Sequence, residues 1–202
     1  MKKTKKFVLL LLMLPVFALI MACSTPKMTE QVQYDLGPMR AFPGIAHTLP
    51  AVIVAEVNAP AWLDSGRMIY RLTYANDQQM RSYAQSRWVM PPAKLFEQRL
   101  KARITQAGGV VLSAGDGATK LPLIKIDAEE FIQVFGSATE STAHVTMRVS
   151  LLRDRSLIAQ KTFSKQSLAS SADAAGGAKA IASACDALID DVMAWLAGQS
   201  LK

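Results

Sequence analysis

The residue best placed for covalent chemistry is Cys23, and the chemistry its surroundings suit is acylation of its thiol. It closes the tetrapeptide Ile20-Met21-Ala22-Cys23, after an apolar run from Phe7 to Met21 that Lys2, Lys3, Lys5 and Lys6 precede. A basic start, an apolar middle and a small residue before the break are the parts of a secretory signal. A signal ending on cysteine resembles a lipobox, here with Ile20 where leucine is commoner. At such a site the thiol takes a diacylglycerol, the chain is cut between Ala22 and Cys23, and the freed amino group is acylated. Residues 1–22 are then a signal and Cys23 an anchor. One acyl chain binds a membrane only marginally, at about 0.8 kcal/mol per buried CH₂, and three on one residue hold firmly. An uncleaved transmembrane helix is the competing reading. Against it, the run from Phe7 to Ala22 falls short of the roughly 17–25 residues a span needs, and Pro15 interrupts it. Ser24, where an Asp would retain the protein at the inner membrane, implies sorting to the inner leaflet of the outer membrane.

Little else in the chain suggests chemistry. The second cysteine, Cys185, has no partner once Cys23 carries lipid, and it falls on the apolar side of a predicted helix, as a buried inert thiol would. His47 lies in a Pro/Gly-rich stretch and His144 on the polar side of a strand, so no cluster has metal-ligand spacing. Ala175-Gly176-Gly177-Ala178-Lys179 and Ala107-Gly108-Gly109 lack the Walker spacing, and there is no Gly-x-Ser-x-Gly elbow. Glu129-Glu130, Asp173 and Asp190-Asp191 read as surface charges. These observations predict neither cofactor nor metal, and no enzyme. Four of the seven excess positive charges are the signal lysines, which leaves +3, too little to argue for nucleic acid.

The elements that must carry any binding site are legible from periodicity. About 180 residues remain after the signal, the size of one domain with a tether. Residues 23–50, with Pro26, Gly37-Pro38, Pro43-Gly44 and Pro50, read as a lipidated flexible tether in which Gln33 to Pro38 could be locally ordered. The domain is then 51–202. Ala51 to Val57 predicts a central strand, and Arg67 to Thr73 and Met80 to Trp88 two more. Pro92 opens a helix with Phe96, Leu100, Ile104 and Ala107 inward, Glu97, Arg99, Lys101 and Arg103 mostly on other faces, and Gly108-Gly109 as its cap. Val110 to Leu112 begins a short strand. Ile124, Ile126, Ala128, Ile132 and Val134 share one parity. Ala143, Val145, Met147, Val149 and Leu151 share another, and Leu157 to Phe163 returns, which makes an antiparallel meander. Ser171 to Ala197 predicts a helix with an apolar stripe from Ile181 to Leu196 and Lys179, Asp186, Asp190 and Asp191 outward. The sum is an α/β single domain: a mixed, largely antiparallel sheet with two main helices packed on it.

Between Asn58 and Leu95 a pattern accumulates: Ala59-Pro60-Ala61-Trp62-Leu63-Asp64, Arg67-Met68-Ile69-Tyr70-Arg71, Tyr83, Arg87-Trp88 and Pro91-Pro92. With Tyr34-Asp35-Leu36-Gly37-Pro38 upstream, it resembles the ABC-type transport auxiliary lipoprotein family, the PqiC-like group, over almost the whole chain. The resemblance implies a periplasmic α/β domain hung from the outer membrane. It also implies a role beside an MCE (mammalian cell entry) transporter that moves lipid between membranes, with an MCE-domain protein as partner, homo-oligomers, and no catalytic residues. Trp62, Tyr70, Arg71, Arg87 and Trp88 are the candidate partner surface, with Tyr83, Arg67 and Arg81 beside them. Core aromatics and a solvated basic strand face are the plainer reading of the same residues. The alternative function is an envelope lipoprotein that scaffolds or regulates another periplasmic machine, such as cell-wall synthesis.

Overall fold

The computed structural model describes residues 30–40, 50–118 and 120–199; Ala22, Cys23 and most of the expected tether lie outside them. The folded unit starts at Gln31. Its strands are β1 (Val32–Tyr34), β2 (Val52–Val54), β3 (Arg67–Leu72), β4 (Asn76–Trp88), β5 (Val111–Ser113), β6 (Leu123–Phe135), β7 (Ser141–Arg153) and β8 (Ser156–Leu168). Two helices complete it, α1 (Pro92–Gln106) and α2 (Ala174–Ala197). This is the expected mixed α/β domain.

One strand holds the sheet together. β6 pairs antiparallel with β7 along one edge, and β7 with β8, which is the predicted meander. On its other edge β6 takes two short neighbours in turn, β2 at its start and β3 at its end, both parallel. β2 continues to β5 and β3 to β4 and β1, so the eight-stranded sheet forks at β6. β2 is as central as its unbroken β-branched run implies: Val52 and Val54 are fully buried between β5 and β6.

Both helices join one core with the sheet. Ala143, Val145, Met147, Val149 and Leu151 are all at 0% exposure, and Ile181, Leu188, Ile189, Val192 and Leu196 meet them from α2. Trp195 packs edge-on against Phe163 of β8, with centroids 5.7 Å apart. α1 adds Phe96, Leu100 and Ile104 and ends as predicted: Gly108 takes φ +82°, and Gly109 N–H reaches Ile104 O at 2.9 Å.

Three expectations need correction. First, the parity of β6 does not run through. A bulge between Ala128 and Glu130 inserts one residue, so Phe131, Gln133 and Phe135 replace Ile132 and Val134 on the side that carries Ile124 and Ile126. Ile132 is buried outside the helix-side core. Second, Asp173 is at the surface as expected, but it is not idle there. It caps α2, its Oδ1 accepting from Gly176 N–H at 2.8 Å, and that bond holds its carboxyl below the usual range. Third, the segment read as tether contains β1, which pairs in parallel with Ser86 to Trp88, and Leu36 is buried in the core.

Candidate functional site

The chain after β1 is a strap, and two arginines of α1 hold it. Periodicity puts Arg99 and Arg103 on outer faces, but they are 8% and 1% exposed. Arg99 lies three residues beyond Phe96 and Arg103 three beyond Leu100, inside the same helical stripe. Arg99 forms a fork with Asp186 of α2, Nε to Oδ1 at 2.7 Å and Nη2 to Oδ2 at 2.8 Å. Its remaining N–H groups donate to the carbonyls of Leu36 (3.1 Å), Gly37 (2.8 Å) and Pro38 (3.4 Å). Arg103 donates to Arg40 O at 2.9 Å and stands 3.7 Å from Asp186 and 3.5 Å from Asp190. Asp186, expected to face outward, is 4% exposed. Burial pushes the Asp190 carboxyl up, against the pull of Arg103, and the like charges of Asp186 and Asp191 add to the rise. A planar guanidinium suits this task, since one group satisfies a carboxylate and three carbonyls at once. Beside the clasp a cleft of about 570 Å³ opens between the strap and α2, lined by Tyr34, Leu36, Val89, Ala178, Lys179 and Ser183 among others.

A second polar cluster sits where α2 begins. Gln133 is buried, accepts from Tyr83 OH at 3.0 Å, and donates to Ser141 Oγ at 2.8 Å and Asp173 O at 3.1 Å. Burial pushes the Tyr83 phenol up, with Tyr70 and Asp173 adding to it. Gly176-Gly177, faintly like a phosphate loop in sequence, is a packing device: a Cβ on Gly177 would collide with Gln133 Oε1, and one on Gly176 with Ser171.

The five candidate partner residues separate. Trp88 is 1% exposed and stacks edge-on against Phe131 at 5.7 Å, so it belongs to the core and not to a surface. Tyr70 is half-buried, its ring 4.6 Å from Tyr83 and 5.7 Å from Phe135. Arg87 is exposed, beside Arg67 and Gln33 in the sheet and against Gly66. Trp62 and Arg71 do come together. With Glu129, Glu130, Ile132 and Thr146 they line a recess of about 260 Å³, and the Nε of Arg71 is buried there without a hydrogen-bond partner. Around it the charges are mutually paired: Arg148 meets Asp127 at 3.2 Å and Glu129 at 3.5 Å, and Asn58 donates to Asp127 at 2.9 Å.

No group of three acidic, His or Cys side chains among the described residues could hold a metal ion. Cys185 is fully buried, and desolvation pushes its thiol up, away from the reactive thiolate. No helix among the described residues is long and apolar enough to cross a membrane.

The model of the ABC-type transport auxiliary lipoprotein component family matches residues 34–193, from the last residue of β1 through most of α2. The chain belongs to that family. The match takes in the strap, all of α1 and most of α2. Among solved structures, a Xanthomonas campestris protein assigned to the DUF330 family is 22% identical, with a TM-score of 0.65 over 82% of this chain and 91% of its own. An uncharacterized protein is 14% identical, with a TM-score of 0.67 over 83% of this chain and 99% of its own. At such identities the likeness is one of fold. None of the curated proteins compared with the chain matches it. Membership makes the protein an auxiliary component of an ABC transport system, with a transporter as its partner, and a lipoprotein of the cell envelope.

Proposed function

We propose that the protein is an accessory of an MCE-type ABC system that moves phospholipid between membranes. Lipid on Cys23 holds it at the periplasmic face of the outer membrane, and it works by binding the MCE-domain partner, with no catalysis of its own. The family match carries this reading. The lipobox at Ile20-Met21-Ala22-Cys23 and the Ser24 after it support the anchor and its address. Buried polar side chains support a binding role: those of the Arg99–Asp186 clasp and the Gln133 cluster are spent on holding the fold together. The same reading has copies of the chain associating with one another on the membrane.

Two measurements test it. Cys23→Ala should abolish acylation and remove the protein from outer-membrane fractions, and unchanged fractionation would sink the anchor. Crosslinking in cells, with the partner identified by mass spectrometry, should recover an MCE-domain protein. Recovery of a cell-wall synthase in its place would transfer the protein to the scaffold reading.

A further inference from the structure

The sheet has helices on one side. On the other, at the end where β6 begins, five apolar residues stand in one row across five strands. Leu112 pairs with Ile53, Ile53 with Leu123, Leu123 with Leu152, and Leu152 with Leu157. Their sequence neighbours Val52, Val54, Ile124 and Leu151 belong to the helix-side core, and alternation sends the row to the opposite face. Ile53, at the middle of the row, is 8% exposed and no part of that core. Farther along β6–β8 the same face turns polar, with Lys125, Ser150 and Gln160 in one row and Asp127, Arg148 and Thr162 in the next but one. The apolar row spans four strand spacings, roughly 19 Å. At its β8 end Leu157 is 59% and Ile158 40% exposed.

Charge says what could lie there. Lys120, Lys125 and Arg155 are exposed around the row and form no ion pair among the described residues, against the two exposed acids Asp116 and Asp154.

We propose that this row is where the transport partner docks, through an apolar segment flanked by acidic residues. The inference rests on the proposed function, since it takes the MCE-domain protein as occupant.

The test uses the full-length lipidated protein in cells with its transport system. A photocrosslinking amino acid is placed at Leu157 and at Leu112, and at Leu168, which is exposed at the opposite end of β8. The MCE-domain protein should be captured from Leu157 and Leu112 and not from Leu168. Lys125→Glu with Arg155→Glu, both at exposed sites that leave the core intact, should lower the yield about tenfold. Capture from Leu168 alone, or of a second copy of this chain from Leu157, overturns the docking surface and leaves the proposed function standing. A yield unchanged by the charge reversals overturns the acidic partner segment. Capture of no MCE-domain protein from any position, with Cys23 acylated, overturns both readings.

Discussion

The clasp between Arg99 and Asp186 makes the most demanding prediction, because its two partners should fail in different ways. Asp186→Asn keeps the shape and removes the charge, leaving Arg99 as a buried cation among carbonyls and taking one of its two carboxylate neighbours from Arg103. Breaking a buried pair from one side costs about 3–5 kcal/mol, a large share of the 5–15 kcal/mol that holds a typical domain together. Arg99→Met leaves the Asp186 carboxylate buried with Arg103 at 3.7 Å and also frees three strap carbonyls, each worth roughly 1 kcal/mol. The double variant Arg99→Met/Asp186→Asn removes both charges, so mainly the strap bonds and the weaker Arg103 contact stay lost. Its cost should be about 2–4 kcal/mol, well below the sum of the single costs, a coupling of at least about 3 kcal/mol.

Urea unfolding of the mature chain carrying Cys23→Ser measures all three. Hydrogen exchange at Val89, whose amide donates to Tyr34 O at 2.9 Å, reports the strap directly. It should speed up in both variants lacking Arg99, because the strap is released ahead of the core. Single variants that each cost under about 1 kcal/mol, additive costs in the double, or a strap whose protection survives the loss of Arg99 would refute the reasoning.

Other consequences can be checked more quickly. Gly177→Ala drives a Cβ into Gln133 and should cost about 1–3 kcal/mol in thermal unfolding, while Gly115→Ala, with open space around its site, should cost little. For the pH dependence, burial alone would raise Glu97, but Lys101, the Val57 amide and Lys94 outweigh it; Glu97 and Asp173 are both held low, so their contribution is full above the ordinary carboxylate range and is lost as pH falls through their lowered values. Asp190, held high, works in the opposite sense: stability falls as pH rises from the ordinary carboxylate range through its raised value, and Asp190→Asn should remove that fall. A midpoint in urea that rises steadily as pH falls below 5 would contradict the first two assignments. A twenty-residue Gly/Ser insertion between Pro26 and Thr29 should weaken partner crosslinking severalfold without altering unfolding.

Where the sequence is regular, it is readable. The alternation of β7 names its buried face residue by residue, the stripe of α2 names its own, and the Gly108-Gly109 stop is where it should be. The failures share a physical cause: each feature depends on something distant in sequence. A bulge in β6 is set by its partner strand, so parity read from one end expires at Ala128. Arg99, Arg103 and Asp186 sit in apolar stripes, and hydropathy sends charges outward unless the opposite charge, 87 residues away, is known to be there. Gly176-Gly177 carries a signal, two small residues at a helix start, but only Gln133 explains it. For Trp62, Tyr70, Arg71, Arg87 and Trp88, residue type suggests an interface; the fold gives Trp88 to the core and brings Trp62 and Arg71 together at one recess.

The strap carries the widest consequence. Three residues of β1 could not form a strand alone; they are one because β4 offers a free edge and Arg99 pins the carbonyls of Leu36, Gly37 and Pro38 just beyond it. The folded unit thus begins about twenty residues earlier than composition indicates. A tether running from Cys23 to Ala51 would reach on the order of 100 Å at roughly 3.5 Å per residue, and one ending at Gln31 only about 28 Å. Under the proposed lipidation of Cys23, so short a tether predicts a domain that meets a partner coming to its membrane and does not reach across the envelope to seek one.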